Sequence, residues 1–246
     1  MLQGLYAAAS GMEAQQNQLD AVSNDLANLD TPGYQSEQIG FSDLLYSSGG
    51  VSSGSQVATG AGTESSVIGR SEVQGPLQST GRSLDVAIEG PGYLQVRRPD
   101  GTIGLTRNGD LQVDGQGRLT DQSGDPLVPP ITLPKGADVS NLKIAADGTV
   151  TSGQTTLGKI GLVTVPAPSQ LLPDGDSTFS ATAASGAIRP DSASTLHQGA
   201  LEGSNVDMAD AMTTMMNAQE DYDMDSQAVQ YQSQMLQIAD QLRSGS

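Results

Sequence analysis

The first thirty residues carry apolar side chains at a fixed spacing of seven. The residues that recur at this spacing are Leu5, Met12, Leu19 and Leu26. A second set, three positions further on, consists of Ala8, Val22 and Leu29, with Gln15 as its one polar member. Two apolar positions per heptad form a stripe along one side of a helix, as in a coiled coil. We therefore predict an amphipathic N-terminal helix whose stripe packs against other helices.

The last forty residues repeat the same spacing. The heptad positions there are Met208, Met215, Tyr222, Val229 and Leu236. A second stripe, formed by Ala228, Tyr231, Met235, Ile238 and Leu242, widens the apolar face of the same predicted helix. Ser204 and Asn205 suit the N-cap position, and Asp207 suits the first turn, where a negative charge interacts favourably with the helix dipole. The chain is thus predicted to begin and end with a helix.

A stop signal follows the N-terminal heptads. Pro32 disfavours helical backbone at Thr31, and Pro32-Gly33 suits the central positions of a type II turn. We therefore expect the chain to reverse or kink after Thr31. Asn24 and Asn28 lie four positions apart and are predicted to share one helix face. Two interpretations of that face stay open, a solvated surface and hydrogen bonds across several packed helices.

The middle of the chain has a different pattern. Residues 47–66 are rich in Ser and Gly and predict a flexible or extended connector. From Leu84 onward, short β-type runs alternate with turn signals, which are Asp100-Gly101, Asn108-Gly109, Asp114-Gly115 and Asp147-Gly148. Asn or Asp before Gly tolerates the positive φ of hairpin turns. We predict an antiparallel β-domain over roughly residues 84–184.

These elements together define an α+β chain. We predict N- and C-terminal coiled-coil-like helices that pair together, a central antiparallel β-rich domain and an extended connector. The predicted segments are 1–34 (assembly helix and turn), 35–83 (connector), 84–184 (outer β-domain), 185–203 (returning connector) and 204–246 (assembly helix).

Charge and length restrict what can hold the terminal helices. The chain has a formal net charge of −17, and the predicted helices contain almost no cations. An exposed ion pair contributes only about 0.2 to 1 kcal/mol, so burial of the apolar stripes must drive association. A 38-residue helix is about 57 Å long, and two paired helices bury only part of a wide stripe. Neighbouring subunits that supply further helices in a head-to-tail contact would form an open filament.

The residues offer little for catalysis or cofactor binding. The chain has no cysteine, and its only histidine, His197, has no nucleophile motif near it. A phosphate-binding loop is absent from the sequence, and the span from Asp114 to Asp125 has Gln116 and Arg118 where a calcium loop needs oxygen ligands. We predict no enzymatic activity, no cofactor, no metal, no nucleic-acid partner and no membrane insertion. No cleaved signal peptide is expected either.

Several long segments resemble one known family. They are "LYAAASGMEAQQNQLDAVSNDLANLDTPGYQ", "FSDLLY", "LDVAIEGPGYLQV", "TRNGDLQVDGQGRLTDQSGDPLVPPITLP" and "LEGSNVDMADAMTTMMNAQEDYDMDSQAVQYQSQMLQIADQL". In this order they resemble the bacterial flagellar rod and hook proteins, the axial proteins of the basal body. Within that family, "ATGAGTESSVIGRSEVQGPLQSTGRSLDVAIEG" is similar to the distal rod member.

The resemblance implies a non-catalytic subunit of a hollow tube that transmits torque. It implies partners among other rod, hook and ring proteins and the flagellar type III export apparatus, and a location in the basal body within the cell envelope and periplasmic space. The matched motif residues, implied to act in assembly, are Asn24, Ala27, Asn28, Thr31, Gly33, Tyr34, Glu202, Asn205 and Val206. The alternatives are a proximal rod or hook-type subunit, and an adhesin-like or carbohydrate-binding β-domain carried by trimerising coiled coils.

Overall fold

The computed structural model describes residues 2–44, 62–134 and 139–244. Across these residues the chain divides into two compact units. The helical unit comprises residues 1–26, 37–68 and 207–246, and the β unit comprises residues 27–36 and 69–206. The coarse prediction of two terminal helices and a central antiparallel β-rich region is confirmed.

The helical unit contains two long helices and one pair of strands. Helix α1 spans Leu2–Ala27 and α2 spans Met208–Ser244, while β1 (Glu37–Asp43) and β2 (Thr63–Arg70) form a two-stranded sheet. Neither helix, over its described residues, has an apolar stretch long enough to cross a bilayer.

The N-cap of α2 differs from the prediction. The Asp207 carboxylate accepts hydrogen bonds from the backbone N–H groups of Ala209 at 2.8 Å and Asp210 at 3.3 Å. Asp207 is therefore the N-cap, and the prediction of Ser204 or Asn205 is wrong. An Asp at this position satisfies two N–H groups that have no partner inside the helix.

The two helices run antiparallel in a fixed register. A Cβ added to Gly4 would lie 2.7 Å from Gln232 Nε2, and one added to Gly11 would lie 2.6 Å from Asp225 Oδ2. One turn further along α1, Gln15 Nε2 donates to Asp221 Oδ2 at 3.5 Å. The residue numbers of each pair add up to 236, so one register describes all three contacts. The glycines leave room for the polar side chains of α2.

The strands β1 and β2 pack on another side of α1. The backbone N–H of Thr63 donates to Ser10 Oγ at 3.2 Å, and Asn17 Nδ2 donates to Ser65 Oγ at 2.8 Å. Between these contacts Ala14 is only 2% exposed. The segment predicted as a connector, residues 35–83, therefore includes paired strands, although residues 45–61 of it lie outside the described part of the chain.

The β unit contains the remaining described strands, β3 to β17. Their bounds are β3 Leu77–Ser79, β4 Val86–Glu89, β5 Tyr93–Arg97, β6 Ile103–Thr106, β7 Gln112–Val113, β8 Leu119–Thr120, β9 Leu142–Ile144, β10 Thr149–Ser152, β11 Thr155–Lys159, β12 Leu162–Thr164, β13 Leu172–Gly175, β14 Thr178–Ser180, β15 Arg189–Pro190, β16 Thr195–Gln198 and β17 Ala200–Glu202. Short 3₁₀ segments lie at Val139–Asn141 and Pro168–Gln170.

A six-stranded antiparallel sheet is the largest layer of this unit, with strand order β13-β14-β6-β5-β12-β15. Both faces of its central strand β5 are covered. Leu94 and Val96 belong to a cluster of fifteen buried residues, whereas Tyr93 belongs to a second cluster with Leu105 and Phe179. Successive residues of a strand point to opposite faces, so Tyr93 packs on one side of the sheet and Leu94 and Val96 pack on the other.

The hairpin predictions are confirmed at some turns and wrong at others. Gly101 and Gly148 have positive φ and join β5 to β6 and β9 to β10. Gly117 rather than Gly115 has positive φ between β7 and β8. Asn108-Gly109 forms no hairpin, because Gly109 packs against the backbone of Val86.

The β unit is also longer than predicted. Strand β16 pairs with β4, and β17 pairs with β3. Residues 185–203, predicted as a returning connector, therefore contribute paired strands, and the boundaries at 84 and 184 are wrong as limits of the β region. The pattern missed them because β15 and β17 are only two and three residues long.

Candidate functional site: motif turn and helix faces

The predicted turn after α1 is present within the β unit. The N–H of Tyr34 donates to the carbonyl of Thr31 at 3.3 Å, and Gly33 has a φ of 69°. Only glycine adopts that conformation without strain, as a type II turn requires. Helix α1 ends at Ala27, so Asn28 lies in the following turn. The prediction that Asn24 and Asn28 share a helix face is therefore wrong.

A buried ion pair holds this turn. Arg107 Nε lies 3.0 Å from Glu202 Oε2, and both side chains are 3% exposed. The backbone N–H of Gly33 donates to the Glu202 carbonyl at 2.9 Å, and the N–H of Gly75 donates to Glu202 Oε1 at 3.2 Å. Burial raises the pKa of Glu202, and the charge of Arg107 opposes that shift. Two distant motif positions, Gly33 and Glu202, thus meet in one place.

Asn205 connects three segments of the same unit. Its Oδ1 accepts the N–H of Ser36 at 2.8 Å, and its Nδ2 donates to the carbonyls of Val73 at 2.9 Å and Ser71 at 3.3 Å. Its own N–H donates to the carbonyl of Tyr34 at 3.3 Å. The motif residue predicted to act in assembly therefore makes at least four hydrogen bonds inside the subunit. A side chain with both donor and acceptor atoms is suited to this bridge.

A polar cleft of about 550 Å³ lies beside the motif turn. Asn28, Thr31 and Tyr34 contribute to its lining. The Arg70 guanidinium carbon lies 5.8 Å from the centroid of the Tyr34 ring and 5.5 Å from that of Phe179, in cation–π geometry. Nη1 of Arg70 also donates to the carbonyl of Gln35 at 2.7 Å. The turn is therefore fixed from both of its flanks.

The remaining motif residues are not part of this cluster. Asn24 and Ala27 are exposed on α1, and Val206 is half-buried before α2. The predicted motif set thus divides into residues with several partners inside the β unit and residues on the surface. Sequence reasoning missed Arg107, Arg70 and Gln35, because nothing in their local pattern distinguishes them from surface polar residues.

The predicted heptad seam lies mostly half-buried within the subunit. The half-buried members are Leu5, Met12, Leu19, Val22, Leu26, Leu29, Met215, Val229 and Leu236. Met208 and Tyr222 are exposed. Pairing of α1 with α2 therefore covers the seam only in part, as expected when two helices bury a stripe that three or more would cover fully.

Most of the exposed large apolar side chains of the helical unit lie on α2. They are Met208, Met212, Met216, Tyr222, Met224, Tyr231, Met235, Ile238 and Leu242, with exposures from 37% to 72%. Isolated exposed apolar residues are ordinary, but a continuous series along one helix marks an interaction surface.

Charge is distributed unevenly between the two units. The helical unit contains thirteen Asp or Glu residues and, from the sequence, only Arg243 as a base, which gives −12. The β unit contains fifteen acids and ten bases, which gives −5. The part of the molecule with the exposed apolar surface is therefore also the most acidic part.

The single histidine makes a surface contact. His197 Nε2 lies 2.6 Å from Glu89 Oε2, and both side chains are about half exposed or more. Hydrogen bonding to His197 lowers the pKa of Glu89. The pair joins β16 to β4 diagonally, since His197 lies opposite Ala87 and Glu89 lies opposite Thr195. Among the described residues no group of three or more His, Cys, Asp or Glu is arranged to hold a metal ion.

Three family models match this chain in sequence order. Residues 5–35 match the flagella basal body rod protein model, residues 87–152 match the flagellar hook protein FlgE/F/G D1 domain, and residues 197–242 match the flagellar basal body rod FlgEFG protein C-terminal model. The matches include α1 with its turn, much of the β unit and most of α2. They define the class, which is that of structural proteins of the flagellar rod and hook.

Individual relatives narrow the class. The flagellar basal-body rod protein FlgG of Borreliella burgdorferi is 36% identical over 99% of both chains. FlgG of Buchnera aphidicola from Acyrthosiphon pisum is 35% identical over 98% of this chain and all of its own. FlgF of Salmonella typhimurium is 32% identical over 86% of both chains. The chain belongs to the FlgG family of flagellar basal-body rod proteins.

Membership defines the function at a coarse level. The chain is a structural, non-enzymatic subunit of the flagellar basal-body rod, where it assembles with other basal-body components. The alternative of an adhesin-like or carbohydrate-binding domain is not favoured, because the relatives over the full length are rod proteins.

Proposed function

We propose that this chain polymerises through α1 and α2 into a hollow tube that forms the distal part of the rod and transmits torque. The observation that carries the proposal is the series of exposed apolar side chains along α2. Their burial against other subunits would supply the association energy, at about 25 cal/mol per Å² of apolar surface. The full-length similarity to FlgG chains supports the choice of a distal rod subunit.

The seam and the motif residues have different parts in this proposal. The half-buried seam, with Leu19 and Val229 near the middle of its two helices, forms a coiled-coil-like contact that further helices complete in the tube. The motif residues Gly33, Glu202 and Asn205 hold the turn after α1, and Asn24 and Ala27 face neighbouring subunits. Residues 1–34 and 204–246 are the assembly segments, and the β region forms the outer surface.

The proposed partners follow from the same assembly. They are further copies of this chain, other rod, hook and ring proteins, and the flagellar type III export apparatus, which would deliver the chain without a cleaved signal peptide. The proposed location is the basal body within the cell envelope and periplasmic space. No direct membrane insertion and no nucleic-acid partner belong to the proposal.

Electron microscopy of concentrated protein tests this assignment. We expect the full chain to form tubes and the Leu19→Asp and Val229→Asp variants to form none, because each change places a charge in the half-buried seam. Ser23→Asp and Gln230→Asp are matched controls, since each adds the same charge at an exposed position of the same helix. Tubes from both seam variants, or equal loss in the controls, would overturn the proposal.

A further inference from the structure

Helix α2 extends beyond the first residue of α1. In the register described above Leu2 lies opposite Gln234, because paired residue numbers add up to 236. Helix α2 continues to Ser244, so residues 235–244 have no α1 residue opposite them. Ten helical residues are about 15 Å long. We name this segment the overhang.

One heptad position of α2 that lies opposite α1 continues into the overhang. Along the paired length, Asp221, Asp225 and Gln232 approach α1, and the seam residues Met215 and Val229 are half-buried. Met235 and Leu242 occupy the same heptad position as Asp221, fourteen and twenty-one residues later. The heptad position that holds Asp221 and Ala228 opposite α1 therefore holds large apolar side chains in the overhang.

The apolar side chains of the overhang are well exposed. Met235 is 65% exposed, Ile238 is 57% exposed and Leu242 is 72% exposed. Three large apolar residues within eight positions of a helix require a partner to remove them from water. The overhang continues the part of α2 that contacts α1. Another helix that lies beyond the first residue of α1 would therefore cover it.

The opposite end of α2 carries a matching surface, the methionine stripe. Met208, Met212 and Met216 are spaced by four residues and are 47%, 46% and 56% exposed. The stripe spans about 12 Å along the helix, close to the roughly 11 Å from Met235 to Leu242. Methionine side chains adapt to irregular apolar partners. The two surfaces therefore agree in length and chemistry and lie at opposite ends of one helix.

We propose that the overhang of one copy docks on the methionine stripe of a second copy. The contact is heterologous and joins opposite ends of successive α2 helices, so it repeats without closing. Charge supports this pairing, because Arg243 in the overhang is the only base in the sequence of the helical unit, while Asp207 and Asp210 flank the start of the stripe. The inference deepens the proposed function, on which it rests, by assigning one longitudinal contact.

Cysteine cross-linking tests the contact, because the chain has no cysteine of its own. Full-length Leu242→Cys protein is mixed with a size-tagged Met212→Cys protein and treated with a short bismaleimide. Each molecule has one thiol, so every product joins two copies. We expect the mixed 242–212 product at about tenfold above control, since docking raises the effective concentration of the two thiols. The control is Gln237→Cys, an exposed position on another side of the overhang.

The possible outcomes separate this inference from the proposed function. Tubes by electron microscopy, together with a mixed product no greater than that of Gln237→Cys, would overturn the contact and leave the rod assembly standing. Dominant 242–242 products would also overturn it, because they would show that two overhangs pair with each other. A strong mixed product without tubes would support the contact and contradict the tube. If neither tubes nor the mixed product formed, the result would refute both the contact and the tube.

Discussion

The two units of this chain differ in how completely they bury their own apolar side chains. In the β unit, two clusters bury both faces of β5, and in the ion pair that is 3% exposed, Glu202 Oε1 and Arg107 Nη2 also bond to backbone groups. In the helical unit, most seam residues are half-buried and α2 exposes a series of large apolar side chains.

The difference shows that burial is divided between folding and assembly. The β unit builds a buried core by pairing strands that are distant in sequence. The helical unit has two long helices and one pair of strands, which is too little material to cover a stripe of α2's length. A subunit that polymerises needs such a surface, because only apolar area that is exposed in the single subunit can be buried on association.

Amide hydrogen exchange on dilute monomer gives the largest expected contrast. We expect residues 2–26 and 208–244 to exchange at least about 10³-fold faster than the core strands β5 and β6, since opening a core costs several kcal/mol and opening a half-buried helix pair costs much less. Equal protection of both units in a verified monomer would mean that the helices are already stable without neighbours.

The buried ion pair provides the next largest effect. Glu202→Leu should destabilise the β unit by about 3 to 5 kcal/mol, because it leaves the Arg107 charge buried without its partner. Lys159→Ala removes an exposed pair to Asp147 at 4.0 Å and should cost less than about 1 kcal/mol. Urea denaturation followed by tyrosine fluorescence measures both. Similar losses for the two variants would contradict the role assigned to Glu202.

Substitutions at two glycines, one in each unit, should change stability by an intermediate amount. A Cβ on Gly33 would lie 2.6 Å from the backbone nitrogen of Asn108 and would require positive φ, so Gly33→Ala should cost at least about 1 to 2 kcal/mol. A Cβ on Gly11 would also lie 2.6 Å from its neighbour, but that neighbour is the mobile end of Asp225. Gly11→Ala should therefore be neutral or raise helix content, by up to about 1 kcal/mol. Circular dichroism melts compare the two variants, and equal destabilisation would contradict this difference.

Salt should give the smallest effect per subunit. Raising ionic strength from about 0.01 to about 0.15 M shortens the Debye length from about 30 to about 8 Å. We expect tube formation to increase, because the helical units of −12 repel each other less, while the melting of the β unit changes little. Light scattering measures assembly, and indifference to salt would place the helical acids away from subunit contacts.

Acid should weaken the β unit only at low pH. Hydrogen bonds from Ser180 and then Arg98 hold the pKa of Asp174 below its ordinary value of 3.8. A carboxyl with a lowered folded pKa stabilises the fold above its unfolded pKa, and the stabilisation is lost as pH falls through the folded value. The β unit should therefore stay folded at pH 5 and weaken as pH falls below about 3.8.

The sequence predicted the elements with repeated or strong local signals. The heptads that contain Leu19 and Val229 predicted α1 and α2, since a helix stripe requires only local periodicity. Asp100-Gly101 and Asp147-Gly148 predicted their hairpins because positive φ is a local requirement. Strands of two or three residues, such as β15 and β17, carry too few side chains for alternation, and they were assigned to a connector.

The partners of the motif residues could not be predicted. Glu202 meets Arg107 across 95 residues, and Asn205 meets Ser36 across 169. Nothing local indicates either pairing, so residues implied to act in assembly turned out to have partners inside the subunit. Asn108-Gly109 failed as a hairpin for a related reason, because close packing on Val86 overrides the turn preference of the dipeptide.

By itself, the sequence determined that this chain has two terminal helices around an antiparallel β region, because periodicity and turn chemistry act over a few residues. Family membership followed from ordered motifs over nearly the whole chain. Tertiary structure decided that Asp221 of α2 contacts α1, that α2 extends past the first residue of α1, and that Gly33 and Glu202 meet. These features depend on register and on contacts between distant residues, which no local pattern specifies.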